Sequence, residues 1–195
     1  MNMKIVKRIA NIISVVINPL FIPTYSMILV FFTSYLVLVP LATRWVTIAI
    51  VFALTGLLPL GIILMLKRMG MVSDVDLTDR TQRTIPYITL GVCYLVCSIF
   101  LSRIHCPDLL VDMMQGAAVA VIIMVVVNHW WKISAHGAGT GAWTALVVLE
   151  AAKMPTVVDM MPFIVAVVLL SGITCTSRII LGKHTPMQVV AGWSV

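Results

Sequence analysis

The sequence predicts an all-α protein, a polytopic bundle of about six transmembrane helices. Of its 195 residues, 61% are hydrophobic and only 10% are charged, and its mean hydropathy is +1.10. Soluble domains carry about a quarter charged residues, so lipid is the expected solvent. Several long runs contain no Asp, Glu, Lys or Arg, and most of them reach the roughly 20 apolar residues that a helix needs to cross a bilayer. The runs do not alternate between apolar and polar residues, which argues against the strands of a membrane barrel.

The first predicted element is an amphipathic segment, residues 1–17, that lies at the membrane interface. Three basic residues precede its apolar stretch, and no clear small-residue cleavage site follows. We therefore expect an uncleaved anchor rather than a signal peptide. Asn18-Pro19 and then Pro23 are expected to break the apolar run.

Six predicted spans follow, separated by prolines or polar loops, and the fifth is marginal in length. They are expected at residues 23–39, 45–65, 87–101, 113–130, 138–148 and 157–176. A final helix begins at Pro186 and is too short to span. Because the sequence has no repeats and no low-complexity linker, residues 1–195 are expected to form a single integral membrane domain.

The net charge and the cysteines of the chain argue against several classes of function. The formal net charge is +6, but the basic residues lie in short loops between spans, which indicates topology signals or anionic headgroups rather than nucleic acid. Cys93 and Cys97 share one helix face and are interpreted as packing residues. No Cys-x-x-Cys occurs, so no redox or zinc site is inferred, and no cofactor is expected.

Three polar segments each follow an even-numbered predicted span. They are the loop 67–86, the segment with Ser134 and His136, and the segment from Ser177 to His184. An even number of crossings returns the chain to the same membrane face, so the three segments could converge into one site.

The third segment has the features of an anion site. Thr185 is a predicted N-cap, Pro186 is at the first helical position, and Gln188 completes a capping box. His184 therefore lies just before a helix N-terminus, which binds anions through free N–H groups. Arg178 adds a fork of donors that suits a phosphate, so His184 is a reasonable phosphoryl acceptor.

These residues resemble the third signature of the type-2 phosphatidic acid phosphatase superfamily, which reads Ser-Arg, five residues, His, three residues, Asp. Ser177, Arg178 and His184 match with the same spacing, whereas Gln188 replaces the Asp.

The other two signatures match less fully. The second is Pro-Ser-Gly-His, of which Ser134 and His136 are present. The first is Lys, six residues, Arg-Pro. Arg83 is the better match for its arginine, Pro86 is displaced, no Lys precedes at the required spacing, and Arg80 could supply the missing charge.

The resemblance implies a metal-independent hydrolase of phosphomonoester or diphosphate lipids. His184 would attack phosphorus and form a phosphohistidine, and His136 would protonate the leaving oxygen. Gln188 would take the place of the Asp that orients the nucleophile, without its charge. The implied phosphate-binding residues are Arg178, Arg83, Arg80, Lys132, Ser134 and Ser177.

Structural interpretations stand beside these roles. Gln188 could serve only the capping box, and Lys132 could be a snorkelling lysine at a helix end. Arg80 and Arg83 could be topology-setting charges paired with nearby aspartates. Glycines 137, 139 and 141 are expected to serve close helix packing.

Three other functions remain open. One is a non-catalytic lipid-phosphate-binding or transport protein, motivated by Gln188. Another is a magnesium-dependent membrane transferase that uses Asp74, Asp76 and Asp79. The third is a haem protein, although no two of its histidines lie at facing depths in two spans.

The expected location is a bacterial inner membrane, and the expected partners are membrane lipids and a lipid phosphate substrate. Most Lys and Arg residues fall on the predicted face of the motifs. Several of them are themselves proposed phosphate ligands, so the positive-inside rule assigns the site to neither face.

Overall fold

The computed structural model describes residues 3–195, so the first two residues of the predicted interfacial segment lie outside the described part. Within residues 3–195 the regular elements are helices, and the β pairing is an isolated bridge between Ser34 and Thr156. The all-α prediction is confirmed. The α-helices are α1 Met3–Val16, α2 Ile22–Thr33, α3 Leu41–Phe52, α4 Leu58–Arg68, α5 Thr84–Arg103, α6 Asp108–Trp130, α7 Ala135–Lys153, α8 Met161–Ile180 and α9 Pro186–Trp193.

Five helical segments are long and apolar enough to cross a membrane, judged by length and composition among the described residues. They are Met3–Thr33, Leu41–Arg68, Thr84–Arg103, Asp108–Trp130 and Met161–Ile180. The protein therefore has the helices of a membrane-spanning protein. The predicted fifth span, 138–148, lies inside α7, which is not among the five because its sequence is less apolar.

The chain forms two compact units. The first contains the residues up to Leu38 together with Ile133–Val195, and the second is Val39–Lys132. The first unit holds α1, α2 and α7 to α9, and the second unit holds α3 to α6.

Near the start of the chain, one of the two predicted helix breaks is absent. Asn18 lies after the end of α1 and caps the short 3-10 turn Pro19–Phe21 that follows. Its Oδ1 accepts the Leu20 N–H at 3.0 Å. Pro23 does not interrupt a helix. It lies in the first turn of α2, where a missing N–H leaves no hydrogen bond unmade.

The end of α2 lies six residues before the predicted end of the first span at 39. Thr33 and Ser34 donate their hydroxyls to carbonyls one turn back. The backbone then pairs with the loop after α7: Tyr35 N donates to Pro155 O at 2.9 Å, and Val157 N donates to Thr33 O at 2.8 Å. This pairing also explains why α8 begins at Met161 rather than at 157.

α7 runs antiparallel to α8 through the first unit. Its start lies by α9, where Ser134 N donates to Gln188 O at 3.2 Å. Near its middle, Thr140 Oγ1 is 4.0 Å from Cys175 Sγ. Further on, Val147 and Val167 share one core cluster. With 19 residues, α7 is about 28 Å long, so it accompanies α8 through the depth of the unit.

Glycines allow α7 and α9 to approach at backbone distance. A Cβ on Gly137 would lie 2.7 Å from Val189 O. Cβ atoms on Gly141 and Gly192 would overlap Trp193 O and Ser134 O respectively. The expectation that the glycines of α7 serve close packing is confirmed.

Near the C-terminal end of α7, Glu150 is fully buried. Its Oε1 lies 2.5 Å from Thr33 Oγ1, which is also 2.7 Å from Leu29 O. A hydroxyl has one proton and a carbonyl can only accept. The Thr33 hydroxyl therefore donates to one of these two acceptors at a time.

In the second unit, a π-helical turn from Ala53 to Leu57 joins α3 and α4 into one helix. It precedes Pro59, whose ring and missing N–H disturb regular α-helical bonding one turn back. α5 packs on α6, where the Cβ position of Gly91 is 3.6 Å from Val121. Cys93 and Cys97 are buried in α5, as expected for packing residues.

We predict that Gly137→Ala and Gly192→Ala each weaken the packing of α9 on α7, because the added methyl group meets backbone atoms that have no rotamer to change. The expected loss is about 1–3 kcal/mol, typical of overpacking, measured as a lower midpoint of thermal unfolding in detergent.

The matched control is Gly116→Ala in α6, where a Cβ meets nothing within 4 Å. This variant should be neutral or gain up to about 1 kcal/mol from higher helix propensity. Equal midpoints for all three variants would contradict the close packing.

Candidate active site

The turn between α8 and α9 joins two helix-capping structures. α8 ends in a Schellman motif, in which Lys183 N donates to Arg178 O at 3.1 Å and Gly182 N donates to Ile179 O at 2.9 Å. Gly182 has φ of +67°, the left-handed conformation that this motif requires. The motif runs from Arg178 to Lys183, so it contains the five residues that separate Arg178 from His184.

α9 begins with the predicted capping box. Gln188 N donates to Thr185 Oγ1 at 3.4 Å, and Thr185 N donates to Gln188 Oε1 at 3.1 Å. Pro186 is the first helical residue. The capping prediction is confirmed, and it engages the Gln188 oxygen that would otherwise be the acceptor for a histidine ring.

Two groups suited to phosphate chemistry are buried at this turn. Arg178 is 4% exposed and His184 is 7% exposed. Hydrogen bonds from a guanidinium to an anion are stronger when water is excluded. The last turn of α8 and the residue before the α9 cap thus place a guanidinium and an imidazole on one short, backbone-bonded segment.

The start of α7 lies against the first turn of α9. Besides the Ser134 N to Gln188 O hydrogen bond, the Ser134 carbonyl faces Gly192. Two of the three predicted motif segments therefore meet at one end of the first unit. They contribute Ser134, His136, Ser177, Arg178, His184 and Gln188.

Both motif serines make local hydrogen bonds to the backbone. Ser134 caps α7, its Oγ accepting the Gly137 N–H at 3.2 Å. Ser177 Oγ donates to Ile173 O at 2.8 Å, one turn back in α8. Each hydroxyl therefore has a structural partner, and its phosphate-binding role stays a prediction.

His136 is oriented by α1. Its Nε2 lies 2.9 Å from Ser14 O. A carbonyl oxygen can only accept, so Nε2 carries a proton in this contact. A role for the other ring nitrogen, Nδ1, in proton exchange with a substrate stays a prediction.

The first-signature arginines belong to the second unit. Arg80 Nη1 donates to Asn128 O at 3.1 Å and to His129 O at 2.6 Å, and Asn128 Nδ2 donates to Arg80 O at 2.7 Å. Arg80 therefore caps the C-terminus of α6. Its place in a phosphate site stays a prediction.

Arg83 is 3% exposed. Its Nε donates to Leu77 O at 2.7 Å, and its Nη1 donates to Tyr87 Oη at 3.4 Å. Lys132 is partly buried at the end of the second unit. The phosphate-binding roles of both residues also stay predictions.

The aspartates near Arg80 stabilise turns. Asp79 Oδ1 accepts from the Thr81 N–H at 2.9 Å and from its hydroxyl at 2.8 Å, and these bonds hold the pKa of the Asp79 carboxyl below its ordinary value. Asp74 accepts from Thr78 N at 3.1 Å. Among residues 3–195, no three His, Cys, Asp or Glu side chains are grouped to hold a metal ion, so nothing here adds support for the transferase alternative.

Sequence reasoning missed two contributors to the site. Ser14 acts through its backbone carbonyl, for which a side-chain pattern carries no signal. Gly182 could have been found from the sequence, because a glycine just after a helix end is typical of a Schellman motif.

Comparison with known proteins adds no relative: no family model, no curated protein and no solved structure matches the chain. The resemblance to type-2 phosphatidic acid phosphatases therefore rests on the motif residues alone.

We predict that Gly182→Ala costs about 1–2 kcal/mol, because a side chain disfavours the left-handed conformation, and that Gly182→Asn costs less. Gly70→Ala is a matched control, since Gly70 has φ of +74° and the same pair of capping hydrogen bonds at the end of α4. Both alanine variants should unfold at lower temperature in detergent.

Only Gly182→Ala should also lose stabilisation by added inorganic phosphate, because a ligand that binds the folded state raises its stability. Phosphate stabilising both alanine variants equally would show that this turn does not hold the anion.

Proposed function

We propose that the protein is a membrane lipid phosphate phosphatase that acts through a phosphohistidine on His184. The observation that carries this proposal is the α8–α9 turn. It places two buried side chains, Arg178 and His184, in front of a capped helix N-terminus. The helix dipole at such an end favours an anion.

In the first step, a ring nitrogen of His184 forms a bond to phosphorus while the bond from phosphorus to the lipid oxygen breaks. Charge on the phosphoryl oxygens is stabilised by the Arg178 guanidinium and by the positive end of the α9 helix dipole. Stabilisation of this kind is usually the largest catalytic contribution.

His136 supplies the proton for the leaving lipid oxygen. Because its Nε2–H donates to Ser14 O, the transferred proton is the one on Nδ1. In the second step the same nitrogen takes a proton from water, which attacks phosphorus, releases phosphate and restores His184. A general acid of this kind contributes roughly 10²- to 10⁴-fold to the rate.

One observation favours a second function, a non-catalytic pocket that binds lipid phosphates. The Gln188 oxygen accepts from Thr185 N within the capping box. Gln188 also supplies no charge at the position where the phosphatases have an Asp. Loss of such a carboxylate beside a catalytic histidine can cost about 10⁴-fold in rate.

The substrate class is a phosphomonoester or diphosphate of a membrane lipid, because the site lies at the end of α8, a helix long and apolar enough to span a membrane. No cofactor enters the mechanism. A bacterial inner membrane as the location remains a prediction, and only the membrane-spanning helices bear on it.

The test is phosphate release from a panel of lipid phosphates in detergent with EDTA present. We expect release by the unaltered protein and none by His184→Ala. His136→Ala should retain residual activity, about 10²- to 10⁴-fold lower than that of the unaltered protein. His129→Ala, which alters an exposed histidine at the end of α6, should match the unaltered protein.

Each other outcome decides between the functions. Binding of a lipid phosphate without release, by folded protein, would replace the phosphatase with the non-catalytic pocket. Release that persists in His184→Ala would exclude His184 as the nucleophile, and release that EDTA abolishes would favour a metal-dependent reaction.

A further inference from the structure

A carboxyl group lies in the interior of the first unit, far from the candidate active site. Glu150 is the one glutamate of the chain, and its exposed fraction is 0%. It lies in the last turn of α7, whereas His136 lies in the first turn, and the rise between them along the helix is about 21 Å. The carboxyl therefore belongs to the opposite end of the unit and takes no part in the proposed phosphate chemistry.

The surroundings of Glu150 provide little to stabilise a negative charge. Its Oε1 lies 2.5 Å from Thr33 Oγ1, and its Oε2 is buried with no hydrogen-bond partner among residues 3–195. Val147, one turn earlier on the same face of α7, belongs to an apolar core cluster with Met160 and Val167. A carboxylate removed from water without a cation or several hydrogen-bond donors is strongly disfavoured.

Two helix ends add to this penalty. Thr33 is the last residue of α2, and Glu150 lies in the last turn of α7, so the C-terminal ends of both helices meet at the carboxyl. The C-terminal end of a helix is the negative end of its dipole and disfavours an anion beside it. Both dipoles therefore favour the neutral carboxyl over the carboxylate.

The titratable and charged groups on the elements around the carboxyl are exposed or lie elsewhere. They are Lys153 and Asp159 close by in the chain, Tyr25 and Tyr35 on or just beyond α2, and Cys175 and Arg178 in the second half of α8. Lys153 and Asp159 are exposed, and the Tyr25 hydroxyl donates to Val16 O at 2.8 Å. In the part of the chain that the structure describes, the polar partner of the Glu150 side chain is Thr33 and not a cation. Neutralisation of this carboxyl therefore requires a ligand.

We propose that Glu150 and Thr33 form a proton-binding site, in which a proton taken from water neutralises the carboxyl and joins the end of α2 to the end of α7. The neutral carboxyl donates from Oε1 to Thr33 Oγ1, and the Thr33 hydroxyl donates to Leu29 O, 2.7 Å away. The 2.5 Å between the first two oxygens suits an O–H···O hydrogen bond and leaves no room for a metal ion between them. When the proton leaves, the Thr33 hydroxyl turns to the carboxylate, and the buried charge weakens the contact between the two helices.

The test uses Glu150→Gln, which keeps the shape of the neutral carboxyl and cannot ionise. Asp159→Asn is the matched control, because Asp159 is an exposed carboxyl close to Glu150 in the chain. Its Oδ1 accepts the Met161 N–H at 3.0 Å at the start of α8, and an asparagine can accept the same hydrogen bond.

The first measurement detects the neutral carboxyl directly. The infrared spectrum of the protein near neutral pH, in a detergent without ester or carboxyl groups, should contain the C=O stretching band of a protonated carboxyl. We expect Glu150→Gln to remove this band and Asp159→Asn to retain it, because an exposed carboxyl is ionised at this pH. Thr33→Val should move the band to higher frequency, since the hydrogen bond is lost, and Thr33→Ser should leave it in place.

The second measurement is the pH dependence of the thermal unfolding midpoint in detergent. Because the folded protein binds this proton more tightly than the unfolded chain does, the stability that the proton contributes is complete in acid and falls as the pH rises. Above the pH at which a free glutamate ionises, the midpoint of the unaltered protein should fall relative to that of Glu150→Gln. The expected fall is about 3–5 °C per pH unit, which corresponds to a tenfold change in the folding constant, until the folded protein also loses the proton. Asp159→Asn should follow the unaltered protein.

The outcomes decide whether Glu150 binds a proton. The absence of the band, a band that survives in Glu150→Gln, or the same pH dependence in that variant and the unaltered protein would overturn the proposal. Stabilisation by sodium chloride that is lost in Glu150→Gln, without a neutral-carboxyl band, would assign the site to a metal cation and equally overturn it. If Glu150→Gln fails to fold, the band of the unaltered protein and its shift in Thr33→Val still decide. Neither measurement uses phosphate release, so the result is independent of the proposed function.

Discussion

The hydrogen bond from Ser134 N to Gln188 O is the contact on which the candidate site depends. It joins two segments that are more than fifty residues apart in the sequence, each of which carries one motif histidine. The bond requires the backbones of α7 and α9 to touch, which is achieved because Gly137 and Gly192 have no side chains at the crossing. Small residues are the usual means by which membrane helices pack this closely. The glycines beside the motifs are therefore as much a part of the site as its polar residues.

α1 contacts the candidate site through its backbone. Its Ser14 carbonyl accepts a hydrogen bond from His136 Nε2, so the orientation of this ring depends on a helix at the other end of the chain. This contact gives the N-terminal segment a role beyond that of an interfacial anchor.

The sequence was informative where local chemistry decides the structure. The apolar runs predicted the helices, and Thr185, Pro186 and Gln188 predicted the start of α9, because capping depends on neighbours in the chain. It was less informative where distant residues meet. The end of α2 at Thr33 and the late start of α8 follow from pairing with the loop after α7. Likewise, the hydrogen-bond partner of the buried Glu150 is Thr33, which lies 117 residues earlier in the chain. The oxygen of Ser14 is a backbone atom, so no residue pattern could have assigned it to His136. Arg80 was expected to bind phosphate or to pair with an aspartate, and its cap on α6 again depends on a contact between distant residues.

The central claim is that His184 carries the phosphoryl group during turnover, and trapping that intermediate is the most direct measurement. The protein in detergent with EDTA would be mixed with a lipid labelled at its phosphate with radioactive phosphorus and quenched with alkali, in which phosphohistidine survives. The account predicts an acid-labile label on the peptide that contains His184, absent from His184→Ala. Hydrolysis of the lipid without any such label, or a label on another residue, would contradict it.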